Sequence, residues 1–215
     1  MQAVFDYVPK DAKVVDIGTD HAYLPIELVK SKKAKSVIAV DNLKSPLEVA
    51  EKNIKQEQLD RQIQCVLSDG LTKVNGDYDC LTIAGLGGNT IIEILEKAQN
   101  QLNNADNIII QANNGIEQVR RYLVSIGYII SAEKLVYEND IYYEIMHFIK
   151  GSAEYSDLEY SYGPLLFKDP LLVEKIQEEI KHDTYILKKI PTTEVKKRAE
   201  FEAKIKQALD LIAKL

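Results

Sequence analysis

The sequence predicts an α/β fold in which a mostly parallel sheet carries helices on both faces and ends in an antiparallel hairpin. Short apolar segments alternate with amphipathic helical segments from residue 13 to residue 125, a pattern typical of doubly wound sheets. Residues 128–137 and 141–149 are rich in β-forming residues and are joined by a short polar turn, which predicts the hairpin. Beyond residue 169, apolar residues recur at spacings of three and four, which predicts two antiparallel, coiled-coil-like helices.

Local apolar patterns and turn residues predict the individual strands and helices. Pro25 falls in the first turn of a helix, where proline is tolerated, and Gly127 ends another helix. Pro9 closes a short helical segment over residues 1–12. Strands of the parallel sheet are predicted over residues 13–17, 36–41, 62–67, 79–84 and 107–111. Helices between them are predicted over residues 21–33, 44–59, 89–101 and 116–125.

Two structural units are expected, a sheet domain over residues 1–151 and a helical tail over residues 152–215. A stretch rich in glycine, serine and proline, residues 151–164, is interpreted as a linker or loop. Pro191 separates the two helices of the tail, and Asp183 interrupts the apolar seam of the first. The tail is therefore predicted to be a helical hairpin in which each helix buries the seam of the other.

The composition excludes several classes of protein. The 215 residues are 46% hydrophobic and 28% charged, which is ordinary for a globular protein. No apolar run approaches the roughly 18 residues of a membrane span, and the first residues lack a signal-peptide pattern, so a cytoplasmic location and no membrane partner are expected. Cys65 and Cys80 lie within apolar runs and are expected to be core residues. His147 and His182 have no metal-ligand spacing around them, so no metal is expected.

Polar and glycine residues follow four of the predicted parallel strands at the point where each strand ends. Because the carboxyl ends of parallel strands meet at one edge of a sheet, these residues are expected to line a single site near the reversal of strand order. The loop after the first strand is unusual because it has only one glycine. The candidate ligand-binding residues are Asp16, Gly18, Thr19, Asp20, His21, Asp41, Asn42, Asp69, Gly70, Ala84, Gly85 and Leu86.

The residue types at these strand ends favour S-adenosylmethionine as the ligand. Asp41 can accept hydrogen bonds from both ribose hydroxyls, and Asp69 can accept from the adenine amine while Gly70 leaves room for the base. A dinucleotide site requires G-x-G-x-x-G to hold its pyrophosphate, but Asp20 and Tyr23 stand at the later glycine positions. A carboxylate there repels phosphate and favours a cationic cofactor. A doubly wound sheet that closes with an antiparallel hairpin also resembles the class I (Rossmann-like) S-adenosylmethionine-dependent methyltransferases more than the dehydrogenases.

Three stretches resemble the signature motifs of the bacterial TrmK family: Asp-Ile-Gly-Thr-Asp-His-Ala-Tyr-Leu-Pro at 16–25, Ile-Ala-Gly-Leu-Gly-Gly at 83–88 and Gln-Ala-Asn-Asn at 111–114. The family's layout, a Rossmann-like methyltransferase domain followed by a helical coiled-coil tail, is similar to this chain over essentially its whole length. The resemblance implies a tRNA (adenine-N1)-methyltransferase that modifies adenine 22 in the D-arm region, with S-adenosylmethionine as cofactor and tRNA as partner.

The chain departs from the family pattern in two places. Ala112 stands where the family usually has proline, which leaves open whether Asn113 or Asn114 takes the role of the family's asparagine. Compared with the family, the chain is also expected to lack a short N-terminal helical lead.

Methylation at adenine N1 requires the base to leave its pair, because N1 lies on the pairing edge. A carboxylate beside the base would stabilise the positive charge that develops there. Asp20 is the candidate for this catalytic role, and its alternative role is to bind the cofactor. The residues expected to hold the base by stacking, hydrogen bonding or close approach of the backbone are Tyr23, Gly87, Gly88, Asn113 and Tyr143.

The RNA backbone is expected to bind at a distance from the cofactor. A formal net charge of −6 argues weakly against a nucleic-acid partner, although a local basic patch can bind phosphate on an acidic protein. Lys44 and Lys73 are further candidates at the ligand edge. The predicted basic patch flanks Pro191 at the tip of the tail and consists of Lys188, Lys189, Lys196, Lys197 and Arg198.

Two other functions stay open from the sequence. One is a methyltransferase that acts on a small molecule or a protein, and the other is a non-catalytic RNA-binding adaptor with the same fold. A helical hairpin without a basic tip would favour the first, whereas tRNA binding without methyl transfer would favour the second. A monomer is favoured over a dimer.

Overall fold

The computed structural model describes residues 1–215 and contains one seven-stranded sheet, nine α-helices and a short 3-10 turn at Leu166–Lys168. No helix combines the length and the apolar character needed to cross a membrane. The strands are β1 (Ala12–Ile17), β2 (Ala34–Asp41), β3 (Ile63–Leu67), β4 (Cys80–Leu86), β5 (Asn107–Ala112), β6 (Tyr128–Glu138) and β7 (Ile141–Lys150). The helices are α1 (Gln2–Tyr7), α2 (Tyr23–Lys30), α3 (Lys44–Gln56), α4 (Gly88–Glu96), α5 (Gln99–Leu102), α6 (Ile116–Ser125), α7 (Asp157–Tyr162), α8 (Leu171–Lys189) and α9 (Val195–Ile212).

The strand order β3-β2-β1-β4-β5-β7-β6 confirms the predicted fold class. The first five strands in sequence are parallel, and β7 inserts antiparallel between β5 and β6. From β1 the strand order runs outward through β2 to β3 on one side, and from β4 it runs outward on the other side, so the order reverses between β1 and β4. The ligand edge is expected at the carboxyl ends of these two strands. Residues 68–79, for which no helix was predicted, connect β3 to β4 through turns. One local prediction was wrong, because the single helix predicted over residues 89–101 is divided into α4 and α5.

Strand alternation separates two apolar layers. Val15 and Leu81 pack on one face of the sheet with α4, α5 and α6, whereas Val14 and Cys80 pack on the other face with α1, α2 and α3. This division follows from the two-residue period of β-strands. Cys80 is fully buried, Cys65 is partly buried, and both are free thiols, so no covalent bridge contributes to the core.

A β-bulge in β6 determines which residues of the closing hairpin face each layer. Ile130 pairs with Phe148, and Ala132 pairs with His147, so that Ser131 is the extra residue. An extra residue reverses the alternation beyond it. Before the bulge, the even-numbered residues of β6 are on the face that packs against α6. Beyond the bulge, the odd-numbered residues are on that face.

The segment predicted as a linker, residues 151–164, contains the helix α7 and is not a free loop. Ser156 and Glu159 form a capping box at its start, with the Ser156 hydroxyl accepting from the Glu159 amide and the Glu159 carboxylate accepting from the Ser156 amide. This Ser-x-x-Glu pattern is a sequence signal for a helix start. The prediction of a linker rested on the glycine, serine and proline content of the segment alone, and it was wrong.

The tail helices α8 and α9 pack as an antiparallel pair over a third apolar cluster that also includes Leu135 of β6 and Tyr162 of α7. Asp183, expected to interrupt the seam, is buried and forms an ion pair with Lys204 of α9, with Oδ2 and Nζ 2.8 Å apart. The negative charge of Asp183 in the seam is thus balanced by the positive charge of Lys204 on the facing helix. Because the third cluster includes residues from both sides of position 151, the division of the chain there stays a proposal.

A buried ionic network joins the tail to the sheet. The Arg120 guanidinium of α6 is fully buried and donates to the carboxylates of Glu133 and Glu144 and to the carbonyl of Tyr160, the last at 3.0 Å. Lys175 of α8 completes the network, with its Nζ 3.1 Å from Glu144 Oε1. Two cations and two carboxylates balance one another inside the protein, where an unpaired charge is costly.

The network determines the protonation of its members. Burial alone raises the pKa of Glu144, but the charges of Arg120 and Lys175 outweigh burial and hold the pKa below its usual value. Burial raises the pKa of Glu133. Since the carboxylate of Glu144 is favoured by folding, its contribution to stability is present above the pKa of the unfolded chain and is lost as the pH falls through the folded-state pKa.

Replacement of Glu144 by Gln is expected to lower the free energy of unfolding by about 3 kcal/mol or more, because Arg120 and Lys175 would stay buried with too little negative charge. Chemical denaturation at neutral pH measures the change. Glu179→Gln is the matched control, since Glu179 also contacts Lys175 but its side chain is 38% exposed; it should cost less than about 1 kcal/mol. Equal losses in the two variants would contradict the role given to burial.

Candidate active site

Two adjoining cavities open at the carboxyl edge of the sheet. The larger has a volume of about 870 Å³ and extends from β1 to the β6–β7 hairpin, and the smaller has a volume of about 470 Å³ and lies over the ends of β1, β2 and β3. Gly18, Ala84 and Gly85 line both. The two spaces therefore meet at the loops after β1 and β4, where the sequence predicted the site.

The loop after β1 is held by β2. The amides of Gly18 and Thr19 both donate to the Val40 carbonyl, at 2.9 and 3.0 Å. One carboxylate oxygen of Asp41 accepts from the Asp20 amide at 3.2 Å, and the other accepts from the Leu43 amide at 2.9 Å. Asp41 is thus buried and fixed in orientation at the tip of β2, where it lines the smaller cavity.

Asp16 is a buried carboxylate on the floor of the larger cavity. Its Oδ1 accepts from the Thr82 hydroxyl at 2.6 Å. Burial raises the pKa of Asp16 from 3.8 to about 6, although the Thr82 hydrogen bond opposes the shift. The neighbouring Thr19 hydroxyl is buried, lines the same cavity and lies near enough to Asp16 to help lower the pKa of that carboxyl, but it makes no hydrogen bond of normal geometry within the protein. A buried polar atom without a partner indicates a ligand contact.

The smaller cavity is acidic. Asp20, Asn42, Asp69, Gly70 and Leu86 line it together with Asp41. The Asp69 carboxylate binds Lys97, with Oδ2 and Nζ 2.7 Å apart, so one oxygen is already engaged. A Cβ atom on Gly70 would lie 2.6 Å from Ile94 Cγ2. Gly70 is therefore required by close packing against α4 as well as by space in the cavity.

Amide side chains bracket Gly85 at the end of β4. The Gly85 amide donates to Gln111 Oε1 at 2.9 Å, and the Gly85 carbonyl accepts from Asn113 Nδ2 at 2.7 Å. Gln111 Nε2 also donates to Asn113 Oδ1 at 3.1 Å. Asn114 has a different task, because its Oδ1 accepts from the Gly88 amide at the start of α4. Asn113 is thus the asparagine that lies at the site.

The far wall of the larger cavity is formed by the closing hairpin. Lys134 and Val136 of β6 line it with their cross-strand neighbours Ile145 and Tyr143 of β7. These residues are on the face opposite to the Arg120 network, as the bulge at Ser131 requires. The N-terminal residues Met1–Val4 and the exposed ring of Tyr23 line the remaining sides.

Several predicted site residues do not reach the cavities themselves, although Asn113 borders them through its hydrogen bond to Gly85. His21, Gly87, Gly88 and Asn113 line neither cavity. A Cβ atom on Gly88 would lie 2.6 Å from the Gly115 carbonyl oxygen, so Gly88 packs against the loop after β5 and leaves no surface for a base. His21 Nε2 lies 3.6 Å from Asp20 Oδ1, and its Nδ1 is buried without a partner.

The tip of the tail differs from the prediction at one residue. Arg198 donates to the carbonyls of Leu187 and Ile190 at 3.0 and 2.9 Å, and so it satisfies the end of α8. Arg198, predicted as part of the basic patch, thus has a structural role at the tip as well. The tip therefore presents four exposed lysines, which are Lys188, Lys189, Lys196 and Lys197.

A family model described as tRNA (adenine(22)-N(1))-methyltransferase, TrmK, matches residues 14–210. The chain belongs to the TrmK family. It is 31% identical over 199 residues to the Bacillus subtilis (strain 168) tRNA (adenine(22)-N(1))-methyltransferase, covering 88% of this chain and 84% of that protein.

Solved structures of TrmK-like proteins share the whole fold. Mycoplasma capricolum TrmK in complex with S-adenosylhomocysteine superposes with a TM-score of 0.88 at 35% identity, over 98% of this chain and 96% of that one. Streptococcus pneumoniae Sp1610 in complex with S-adenosylmethionine superposes with a TM-score of 0.91 at 32% identity, over 98% and 97%. The TrmK resemblance found in the motifs is thus confirmed, and it includes the tail.

Three residues that the structure places at this TrmK-family site were not assigned from the sequence. Gln111 stands inside one of the signature stretches, so its position was a usable signal. Thr82 was hidden inside an apolar strand, and its contact with Asp16 depends on the register of β1 against β4. Lys134 reaches the cavity only because of the bulge at Ser131, which no local pattern indicates.

The pKa of Asp16 predicts how stability depends on pH. Because the folded-state pKa of about 6 lies above the ordinary 3.8, the folded protein holds a proton that the unfolded chain has released, and stability should fall as the pH rises between these values, by at most about 3 kcal/mol. Asp16→Asn should remove this fall. Unfolding free energies measured from pH 4 to pH 7 check it. Asp60→Asn, an exposed residue outside both cavities, should keep the wild-type profile; an Asp16→Asn profile that does the same would contradict the assignment.

Proposed function

We infer that this protein is an S-adenosylmethionine-dependent tRNA (adenine(22)-N1)-methyltransferase. The observation that carries this inference is the pair of adjoining cavities in a chain of the TrmK family. One cavity is narrow and acidic and suits a cationic cofactor, and the other is wide enough for a nucleotide base. Their shared floor at Gly18, Ala84 and Gly85 is where the two reactants would meet.

The residues present fit S-adenosylmethionine. Asp41 would hold the ribose hydroxyls, and Asp69 and Gly70 would border the adenine in the smaller cavity. Asp16 and the unpartnered Thr19 hydroxyl would face the charged amino-acid end of the cofactor. No Lys or Arg side chain lines the smaller cavity, so nothing there would balance a pyrophosphate.

Bound S-adenosylmethionine supplies a methyl group on a cationic sulfur, and adenine N1 accepts it through its own lone pair. No residue has to remove a proton to create this nucleophile. The protein must instead extract the base from its pair, hold N1 towards the shared floor and stabilise the positive charge that the base acquires. Tyr23 and Tyr143 line the larger cavity and would stack on the base, while Gln111 would offer its side-chain amide. The carboxylates that line this cavity are those of Asp16 and Glu138.

Asp20 is proposed to bind the cofactor. It lines the smaller cavity and not the larger one, its side chain is 66% exposed, and its amide bonds to the carboxylate of Asp41. These positions favour a contact with the cofactor over a contact with the target base.

The tail is proposed to hold the RNA backbone. Lysines on both sides of Pro191 are exposed at the tip, and phosphate contacts of this kind position a nucleic acid without reading its sequence. A basic tip supports RNA as the substrate over a small molecule or a protein. The cytoplasm, where tRNA is the available substrate, is the proposed location, and a monomer is the proposed state.

The direct test incubates the purified protein with S-adenosylmethionine and unmodified tRNA, and measures N1-methyladenosine by mass spectrometry. We expect one methyl group per tRNA at adenine 22 and none on a tRNA in which guanine replaces that adenine. Binding of tRNA without methyl transfer would instead support a non-catalytic adaptor. Absence of both would point to a different substrate.

Asp20→Asn separates the two roles considered for this residue. Asparagine keeps the shape of the side chain and tolerates the left-handed φ of +52° at this position. We expect cofactor affinity to fall about tenfold, as for a lost charged hydrogen bond, while the single-turnover rate at saturating cofactor changes less than about threefold. Calorimetric titration and rapid quench measure the two quantities. An unchanged affinity with a collapsed rate would make Asp20 catalytic.

A further inference from the structure

The charges that line the two cavities are unequal. The side chains include five carboxylates, those of Asp16, Asp20, Asp41, Asp69 and Glu138, but only one cation, that of Lys134. A sulfonium cofactor is attracted to such a site, whereas an RNA backbone is repelled by it. A nucleotide whose base enters the larger cavity must nevertheless bring its phosphates to the mouth.

Lys134 is placed to meet those phosphates. It follows the bulge in β6, and its cross-strand partner Ile145 lines the same cavity. Its side chain is exposed and has no carboxylate within 4.0 Å, whereas its neighbour Glu133 turns to the opposite face and binds Arg120. The ammonium group is therefore available to a ligand, and the buried network below it fixes the strand that carries it.

We propose that Lys134 binds a backbone phosphate of the nucleotide that carries the target adenine. The proposal rests on the proposed function and adds a substrate-binding residue to it. The phosphate gains a charged hydrogen bond from the one cationic side chain of the cavity wall. Lys134 would thereby hold the extruded nucleotide in register with the shared floor, separately from the lysines at the tip of the tail.

Steady-state methylation of tRNA tests the contact in Lys134→Ala and Lys134→Arg. We expect Lys134→Ala to lower kcat/KM for tRNA about tenfold, mainly through KM, and to reduce the slope of log(kcat/KM) against log[salt] by about one. Lys134→Arg should recover most of the loss, and the affinity for S-adenosylmethionine should be unchanged in both. Lys35→Ala is the matched control, because Lys35 is exposed, forms no ion pair and lies at the amino end of β2, on the opposite edge of the sheet.

Neutral phosphates identify the contacted group. Two modified tRNAs are used, one with an uncharged methylphosphonate in place of the phosphate on the 5′ side of adenine 22 and one with it on the 3′ side. Each tRNA lacks one backbone charge. One of the two should lower kcat/KM of the wild-type enzyme as much as Lys134→Ala does, and should have no further effect on that variant, since the two changes remove the same interaction.

The outcomes distinguish a failure of the Lys134 proposal from a failure of the proposed function. If Lys134→Ala matches Lys35→Ala in kcat/KM and in salt dependence, Lys134 binds no phosphate and the proposal is wrong, while the function stands. If methylphosphonate effects add to those of Lys134→Ala on both sides of adenine 22, the proposal is also wrong. If the wild-type protein methylates no tRNA, the proposed function fails and the assignment of Lys134 fails with it.

Discussion

The buried ion pairs of Arg120 support both the architecture and the site. A guanidinium with no exposure can persist only if its donors are satisfied, and here the acceptors come from β6, from β7 and from the segment that contains α7. These three parts of the chain are distant in sequence, so the network forms only when the sheet is closed and the tail is docked. The same strands carry the far wall of the larger cavity on their other face. The position of that wall is therefore coupled to the attachment of the tail, the two parts proposed to contact the RNA.

The distribution of charge answers two opposite requirements. A cationic cofactor needs negative charge near its sulfur and amino group, and a polyanionic substrate needs positive charge along its path. The protein separates them in space, with carboxylates at the ends of β1, β2 and β3 and lysines at the tip of the tail. The net charge of −6 averages over these regions and carries little information about the partner. The assignment of RNA as the substrate class rests on the local distribution of charge and on family membership.

Much of the fold followed from the sequence because local and global signals agree there. Apolar strands ending in Asp16 or Asp41, and glycines after β4, specify both the sheet and the edge at which ligands bind. The errors arose where the deciding contact is distant. Gly88 was expected to leave room for a base, but Asn114 and Gly115 fill that space. Arg198 was expected only as a member of the basic patch, but it also donates to the carbonyls of Leu187 and Ile190. Neither neighbour can be deduced from spacing along the chain.

Contacts between neighbouring strands also could not be predicted from local sequence patterns. The partnership of Asp16 with Thr82 depends on strand register, and the choice of Asn113 over Asn114 depends on the path of the loop after β5. The capping box at Ser156 is different, because its Ser-x-x-Glu spacing is visible in the sequence, whereas the prediction of a linker used only composition. A capping-box pattern with both its N-cap residue and its partner three residues later predicts a helix start better than the composition of the segment does.

The bulge at Ser131 places a constraint on how this hairpin can change in evolution. Loss or gain of one residue between Tyr128 and Lys134 would exchange the two faces of the strand beyond it, so Glu133 would leave Arg120 and Lys134 would be driven into the core at the same time. No single substitution could compensate for both. Length variation among related hairpins is therefore expected beyond Glu138, at the turn, where an added residue alters neither the ion network nor the cavity wall. An aligned set of relatives that varied in length at Ser131 but kept both Arg120 and its carboxylates would be incompatible with this constraint.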